Sequence, residues 1–311
     1  MRGWMRGVVI AAAVTLVVAT VVVTSRKSET SPAEATAGSS SPASPRVPSY
    51  PTSTTTGVPS GWIPKLEWTG EQNVWDDGAV IEDVRLTDGL LFIRAKNVTL
   101  RRVELVDSRI INDYGRDCFN GMRLEDVSIV RGPGDVGMPV VQSGGFTATR
   151  LKIDGLSEGI RVGEKSLGCG PVMVEDSWIR VSPPNECVQQ KVDWHGDGIQ
   201  GYMGPKITVR NSYIELAEVD GCLGTAAFFY PDQGNTSATI DNVLMAGGSY
   251  VFRLGTPGSV TGLKVVEDSW VYGPVDVTDC AKVRWGNGNE IVNVAADGSL
   301  RAVAPLECGV Q

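Results

Sequence analysis

Between Ile81 and Val271 the apolar residues of the chain return in one short pattern, apolar, charged or Asn, Asp or Asn, small, any residue, apolar. It reads Ile81-Glu82-Asp83-Val84-Arg85-Leu86, then Leu124-Glu125-Asp126-Val127-Ser128-Ile129 and Val174-Glu175-Asp176-Ser177-Trp178-Ile179. Val209-Arg210-Asn211-Ser212-Tyr213-Ile214, Ile240-Asp241-Asn242-Val243-Leu244-Met245 and Val266-Glu267-Asp268-Ser269-Trp270-Val271 continue it, with weaker copies at Leu100 and Ala148. Successive copies start 19, 24, 24, 26, 35, 31 and 26 residues apart. Units of this length bury their apolar face only against the next unit, the mark of a stacked-repeat protein. The copies are rich in Val and Ile with period-two alternation and are punctuated by Gly, Asn and Asp, which predicts short strands. Propeller blades need about 40–50 residues each, and no sustained helical period occurs. A coil of three strands fits about 24 residues, with the Asp or Asn of the third position at a turn that tolerates left-handed backbone.

A second apolar strand recurs between copies. Gly159-Ile160-Arg161, Gly198-Ile199-Gln200, Ala227-Phe228-Phe229 and Val251-Phe252-Arg253 align. If Ile160, Ile199, Phe228 and Phe252 point inward, strand alternation turns Arg161, Gln200, Phe229 and Arg253 outward along one face. The two longest intervals flank that face. One holds Lys191, Asp193, Trp194, His195 and Asp197, and the other Asp220, Tyr230 and Asp232.

The repeat, together with Asp193-Trp194-His195-Gly196-Asp197-Gly198-Ile199-Gln200, resembles secreted bacterial proteins of the pectate-lyase-like superfamily. The resemblance covers roughly residues 80–285. It implies an all-β fold, a right-handed single-stranded parallel β-helix of about eight coils, and says much less about chemistry, because the group holds lyases, hydrolases, epimerases and adhesins. His195-Gly196 is similar to the His-Gly element of polygalacturonase-like hydrolases, but the paired Asp residues of that family have no counterpart beside it. The Asp/Arg pattern of calcium-dependent pectate lyases is absent as well.

The ends of the chain read differently. Arg2 and Arg6 precede the uncharged run of 16 residues from Val8 to Val23, so residues 1–27 are a signal peptide or an N-terminal membrane anchor. Residues 28–61 contain 9 Ser, 6 Thr and 6 Pro, a composition expected of a disordered linker. The β-helix domain is expected over 62–311. Export through the N-terminal segment would place it at the cell surface or outside the cell, touching the membrane only through that segment. Without the four basic residues of 1–27 the net charge moves from −8 to −12, which argues against nucleic acid as a partner. All six cysteines fall in the domain and lack a CxxC pair, so three disulfides are expected in an oxidising compartment. Proximity in sequence favours Cys169–Cys187 and Cys280–Cys308, leaving Cys118–Cys222.

These residues suit an extracellular carbohydrate-active protein, expected to be a monomer, with an acidic polysaccharide in a groove along the solenoid. A lyase needs a cation for the substrate carboxylate, a base for the proton beside it and an acid for the leaving oxygen. Arg161 and Arg253 fit the first role, Lys191 or His195 the second, and Tyr230 or His195 the third. Trp194, Gln200, Asp197 and Phe229 are candidates for holding sugar. No cofactor is required; Asp193, Asp197 and Asp220 offer oxygen ligands for calcium in place of an arginine. A hydrolase would use two of the same carboxylates. The alternative is a non-catalytic glycan-binding, adhesive or structural surface module.

Overall fold

The structure, a computed structural model, describes residues 50–134 and 137–309; the expected signal or anchor segment and most of the expected linker lie outside the described residues. The repeat forms the strands that the alternation predicts. Each copy is a strand, one residue of left-handed backbone, and a second strand, as in Met122–Glu125, Asp126 and Ser128–Val130. Asp83, Arg102, Asp126, Arg150, Asp176, Asn211 and Asn242, all at the third repeat position, have φ between 46° and 57°. Asp and Asn tolerate that conformation because a short polar side chain bonds locally. In the two weaker copies an arginine takes the place and reaches the aspartate of the preceding copy: Arg102 Nε donates to Asp83 at 2.7 Å, and Arg150 Nη2 to Asp126 at 2.8 Å.

The copies stack in parallel and in register, Ile81 on Leu100, Leu124, Ala148, Val174, Val209 and Ile240. The protein is a parallel β-helix. The copy expected at Val266 is displaced. Ile240 pairs with Val260 instead, and the left-handed turn falls on Gly262 with φ 65°. Val266 ends a strand, and the following Asp268 turns the chain toward the next coil rather than between the two strands of a copy. The look-alike Glu-Asp-Ser-Trp sequence lies one turn late because glycine, which meets the same backbone demand without a polar side chain, hides the true copy.

Inward positions form continuous columns. Leu86, Leu105, Ile129, Ile153, Ile179, Ile214, Met245 and Val265 make one, each pairing with the next and none measurably exposed. Leu91, Ile110, Val141, Ile160, Ile199, Phe228, Phe252 and Val275 make another. Burying each such side chain contributes roughly 1.5–3 kcal/mol, which is what holds an element with no local stability to its neighbour.

Residues 50–61, expected in the linker, form an ordered strap across the column of left-handed turns. The Tyr50 hydroxyl donates to Asn242 Oδ1 at 3.0 Å, the Gly57 amide to the Arg150 carbonyl at 2.8 Å, and the Val58 amide to Ser128 Oγ at 3.0 Å. Trp62 Nε1 then donates to Asp83 Oδ1 at 3.1 Å. The strap therefore runs against the direction in which the coils advance.

Three disulfides close the domain, in keeping with an oxidising environment. Cys280–Cys308 forms as expected. The other two are Cys118–Cys169 and Cys187–Cys222, not Cys169–Cys187 and Cys118–Cys222. Stacking is the reason: it brings residues 51 and 35 positions apart to Cα separations of 5.0 and 5.9 Å, so position along the solenoid axis overrides closeness in sequence. Cys187–Cys222 ties the two long insertions together. Among the described residues no helix is long and apolar enough to cross a membrane.

Candidate functional site

The alternation sets four side chains on the side of the strands away from the core, two of them, Gln200 and Phe229, only 8% and 9% exposed. Ile160 pairs with Ile199, Ile199 with Phe228 and Phe228 with Phe252, which sets Arg161, Gln200, Phe229 and Arg253 in one outward row. Rings and guanidinium groups alternate across it. Arg161 lies over Tyr202 at 5.3 Å, Tyr202 meets Phe229 edge-on at 6.1 Å, and Arg253 lies over Phe229 at 5.1 Å and Tyr250 at 5.4 Å. Tyr250 then contacts Tyr272 at 5.7 Å. The strip crosses successive coils, and flat apolar rings interleaved with cations suit a polar ring-shaped ligand that carries negative charge. Arg253 also donates to Asp276 at 2.8 Å, so part of its charge is already answered.

Beneath this strip sit two carboxyl groups, one of which the sequence reading passed over. Glu158 and Asp197 each stand immediately before the glycine of an aligned strand, Glu158-Gly159-Ile160 and Asp197-Gly198-Ile199. The glycines are required by close approach: a Cβ on Gly159 would lie 2.0 Å from the Gly198 carbonyl oxygen, and one on Gly198 2.5 Å from that of Ala227. Asp197 was expected to touch substrate, yet it is 2% exposed and accepts from the Ala226 amide at 3.1 Å. Its side chain reaches the site only through its neighbours. Glu158 accepts from Gln200 Nε2 at 2.7 Å. That places Gln200 as the residue fixing Glu158 rather than as a free sugar contact. Extending the aligned strands by one residue would have revealed the pair.

Burial pushes Glu158 up to about 7, although the Asp197 amide, the Gln200 amide and the Arg161 charge all favour its ionised form. Burial, and after it the Glu158 charge, holds Asp197 well above the usual carboxylate range. Both carboxyl groups hold their protons above the usual carboxylate range, Glu158 up to about 7, an arrangement fit for general acid–base work. Stability follows with a definite sign. The folded chain keeps the Glu158 proton up to about 7, whereas an unfolded glutamate with the ordinary value of 4.5 has lost it. Stability therefore falls as pH rises from 4.5 through 7, by about 3 kcal/mol from this group. Urea unfolding at pH 5 and pH 8 should show that loss, and Glu158→Gln should remove most of it; an unchanged slope in the variant would contradict the burial of Glu158.

The remaining sequence-derived candidates gather elsewhere or turn inward. Lys191, Asp193 and His195 border a recess of about 380 Å³ with the Cys187–Cys222 disulfide, Ser249 and Tyr272. His195 is exposed, and Lys191 Nζ donates to the Asp220 carbonyl at 2.9 Å. Among the described residues no hydrogen bond or ion pair joins His195 or Lys191 to Arg161 or Arg253; the contact of Tyr250 with Tyr272 connects the two regions. Trp194 is no stacking platform. It is 8% exposed, packs against the core and donates through Nε1 to the Ser157 carbonyl at 3.0 Å. Tyr230 cannot protonate a leaving oxygen: it is wholly buried, stacks on Phe228, donates to the Pro205 carbonyl, and burial raises its phenol. The same alternation that turns Phe229 outward turns Tyr230 inward. Asp193, Asp197 and Asp220 do not converge, and among the described residues no three His, Cys, Asp or Glu side chains form a metal-binding group.

No family model matches the chain, and neither the curated proteins nor the solved structures contain a significant match to it. The reading of function accordingly rests on the site itself.

Proposed function

We propose that the protein is an extracellular carbohydrate-active enzyme that cleaves an acidic polysaccharide lying along the strip, by β-elimination. The observation that carries this reading is the pair Glu158 and Asp197 under Arg161, with a proton exchangeable near neutrality beside a cation and a row of rings. Arg161 would neutralise the substrate carboxylate and so acidify the proton next to it. Ionised Glu158 takes that proton, the carbon–carbon double bond forms, and the glycosidic carbon–oxygen bond breaks. Glu158 returns the proton to the leaving oxygen and ends the cycle ionised. Burial keeps the Glu158 proton exchangeable near neutrality, and the Asp197 backbone amide favours the ionised form that begins the cycle. This arrangement replaces His195, Lys191 and Tyr230 with Glu158 as the proton-handling group. Hydrolysis would use the same two carboxyl groups, but one of them is 2% exposed, which leaves little room for a water or a sugar carbon at Asp197.

A panel of acidic and neutral polysaccharides, with and without calcium, tests the reading. Ultraviolet absorbance from unsaturated uronates is expected with one acidic polymer. Reducing ends without absorbance would move the assignment to a hydrolase. Binding without turnover would identify a glycan-binding module, a reading favoured by the Arg253–Asp276 ion pair, which takes Arg253 away from neutralising a substrate carboxylate.

A further inference from the structure

The row that carries Arg161 and Phe229 continues toward the start of the solenoid. Ile160 pairs with Val141, Gln142 with Ile111, Ile111 with Phe92 and Phe92 with Asn73. Three rungs, about 14 Å at ~4.8 Å each, separate Phe92 from Arg161. At that far end the same chemistry recurs in residues unused by the site above. The Arg94 guanidinium lies 4.6 Å from the Phe92 ring, 5.2 Å from Trp75 and 3.7 Å from Tyr114. Its Nε donates to Asn73 Oδ1 at 2.6 Å, which fixes the plane of the group.

Two features set this cluster apart from a structural cation–π contact. Trp75 is 66% exposed and Tyr114 59% exposed, so most of each ring gives up its area to water instead of to the core. Arg94 Nη1 is enclosed without any hydrogen-bond acceptor. Nη1 itself is closed to a ligand, but among the described residues no ion pair answers the Arg94 charge, and an anionic group resting on the exposed rings would do so.

We infer that Trp75, Phe92, Arg94 and Tyr114 form a second subsite, which holds an acidic sugar residue of the same polysaccharide several residues away from the bond at Glu158. The inference rests on the proposed function and adds that the enzyme is built for long chains. The row registers the two aromatic and cationic clusters on one face, and a single extended polymer along the solenoid axis meets both. A short oligosaccharide meets only one.

The test uses the full protein carrying Glu158→Gln, so that bound chains are not cut. Affinity is measured for polygalacturonate, alginate and hyaluronan, and for the trisaccharide of each. The parent should bind one polymer more tightly than its trisaccharide, and Trp75→Ala and Tyr114→Ala should each weaken polymer binding roughly tenfold, as truncation of exposed aromatic anchors does. Both rings lie at the surface, so the melting temperature serves as the control for folding. A parent that binds polymer while both variants bind it equally well would overturn the subsite and leave the proposed function standing. A parent that binds no polymer, with a wild-type protein that cleaves none, would defeat the proposed function, and the subsite with it.

Discussion

Glu158→Gln is expected to lower kcat on the cleaved polysaccharide by about 10²–10⁴-fold, the usual contribution of a general acid–base group. The change is nearly isosteric and keeps a partner for Gln200, so the fold and the strip of rings survive. Affinity for uncut polymer should stay within a few-fold of the parent, because Arg161, Tyr202 and Phe229 are untouched. Turnover of the parent should rise with pH toward about 7 as Glu158 loses its proton, since elimination begins from the ionised form. A variant that retains most of its kcat would remove Glu158 from the chemistry and return attention to His195 and Lys191 at the neighbouring recess. Initial rates across pH 5–9, with binding measured separately, distinguish the two.

Phe228→Ala is expected to cost about 3–5 kcal/mol of stability, the range for emptying a buried aromatic position. Phe228 has no exposed surface and lies 5.3 Å from Phe252 at an interplanar angle of 15°, with Tyr230 5.9 Å away on the same strand. Its row partner on the other side is Ile199. A solenoid has no second route by which distant coils can support one another, so the cavity weakens both adjoining interfaces at once. The urea midpoint should fall clearly, and the loss should extend to the site, because Phe229 and Gln200 are the outward neighbours of the two residues concerned. A loss below about 1 kcal/mol would mean that neighbouring rings close the space.

The sequence disclosed most where one physical rule acts alone. The left-handed turn at the third repeat position demands Asp, Asn or an arginine that pairs backward, and seven copies obey. Alternation placed Ile160, Ile199, Phe228 and Phe252 in one buried column, while Gln200 and Phe229 on the other side are themselves nearly covered. It failed where a different residue met the same demand, as Gly262 does for the last copy. The site was less legible. Trp194 and Tyr230 carry suitable chemistry in their names, but their places are decided by the core, which draws both inward. Glu158 carries no motif at all; what makes it reactive is burial beside Asp197, a property of stacked coils rather than of any local stretch. The same reasoning explains the disulfides, whose partners are neighbours along the axis.

The strap adds a consequence in time. Tyr50 and Asn242 are 192 positions apart, so a chain made from its N-terminus produces Tyr50 long before its partner exists. Trp62 can settle as soon as the coil of Asp83 forms; Val58 and Gly57 must wait for Ser128 and Arg150, and Tyr50 waits longest. The segment is thus laid down in the reverse of the order in which it is synthesised, each contact registering that one more stretch of solenoid is complete. The strap works as a gauge of progress: a molecule stalled partway leaves Tyr50 unpaired, and a finished one has it fastened to Asn242.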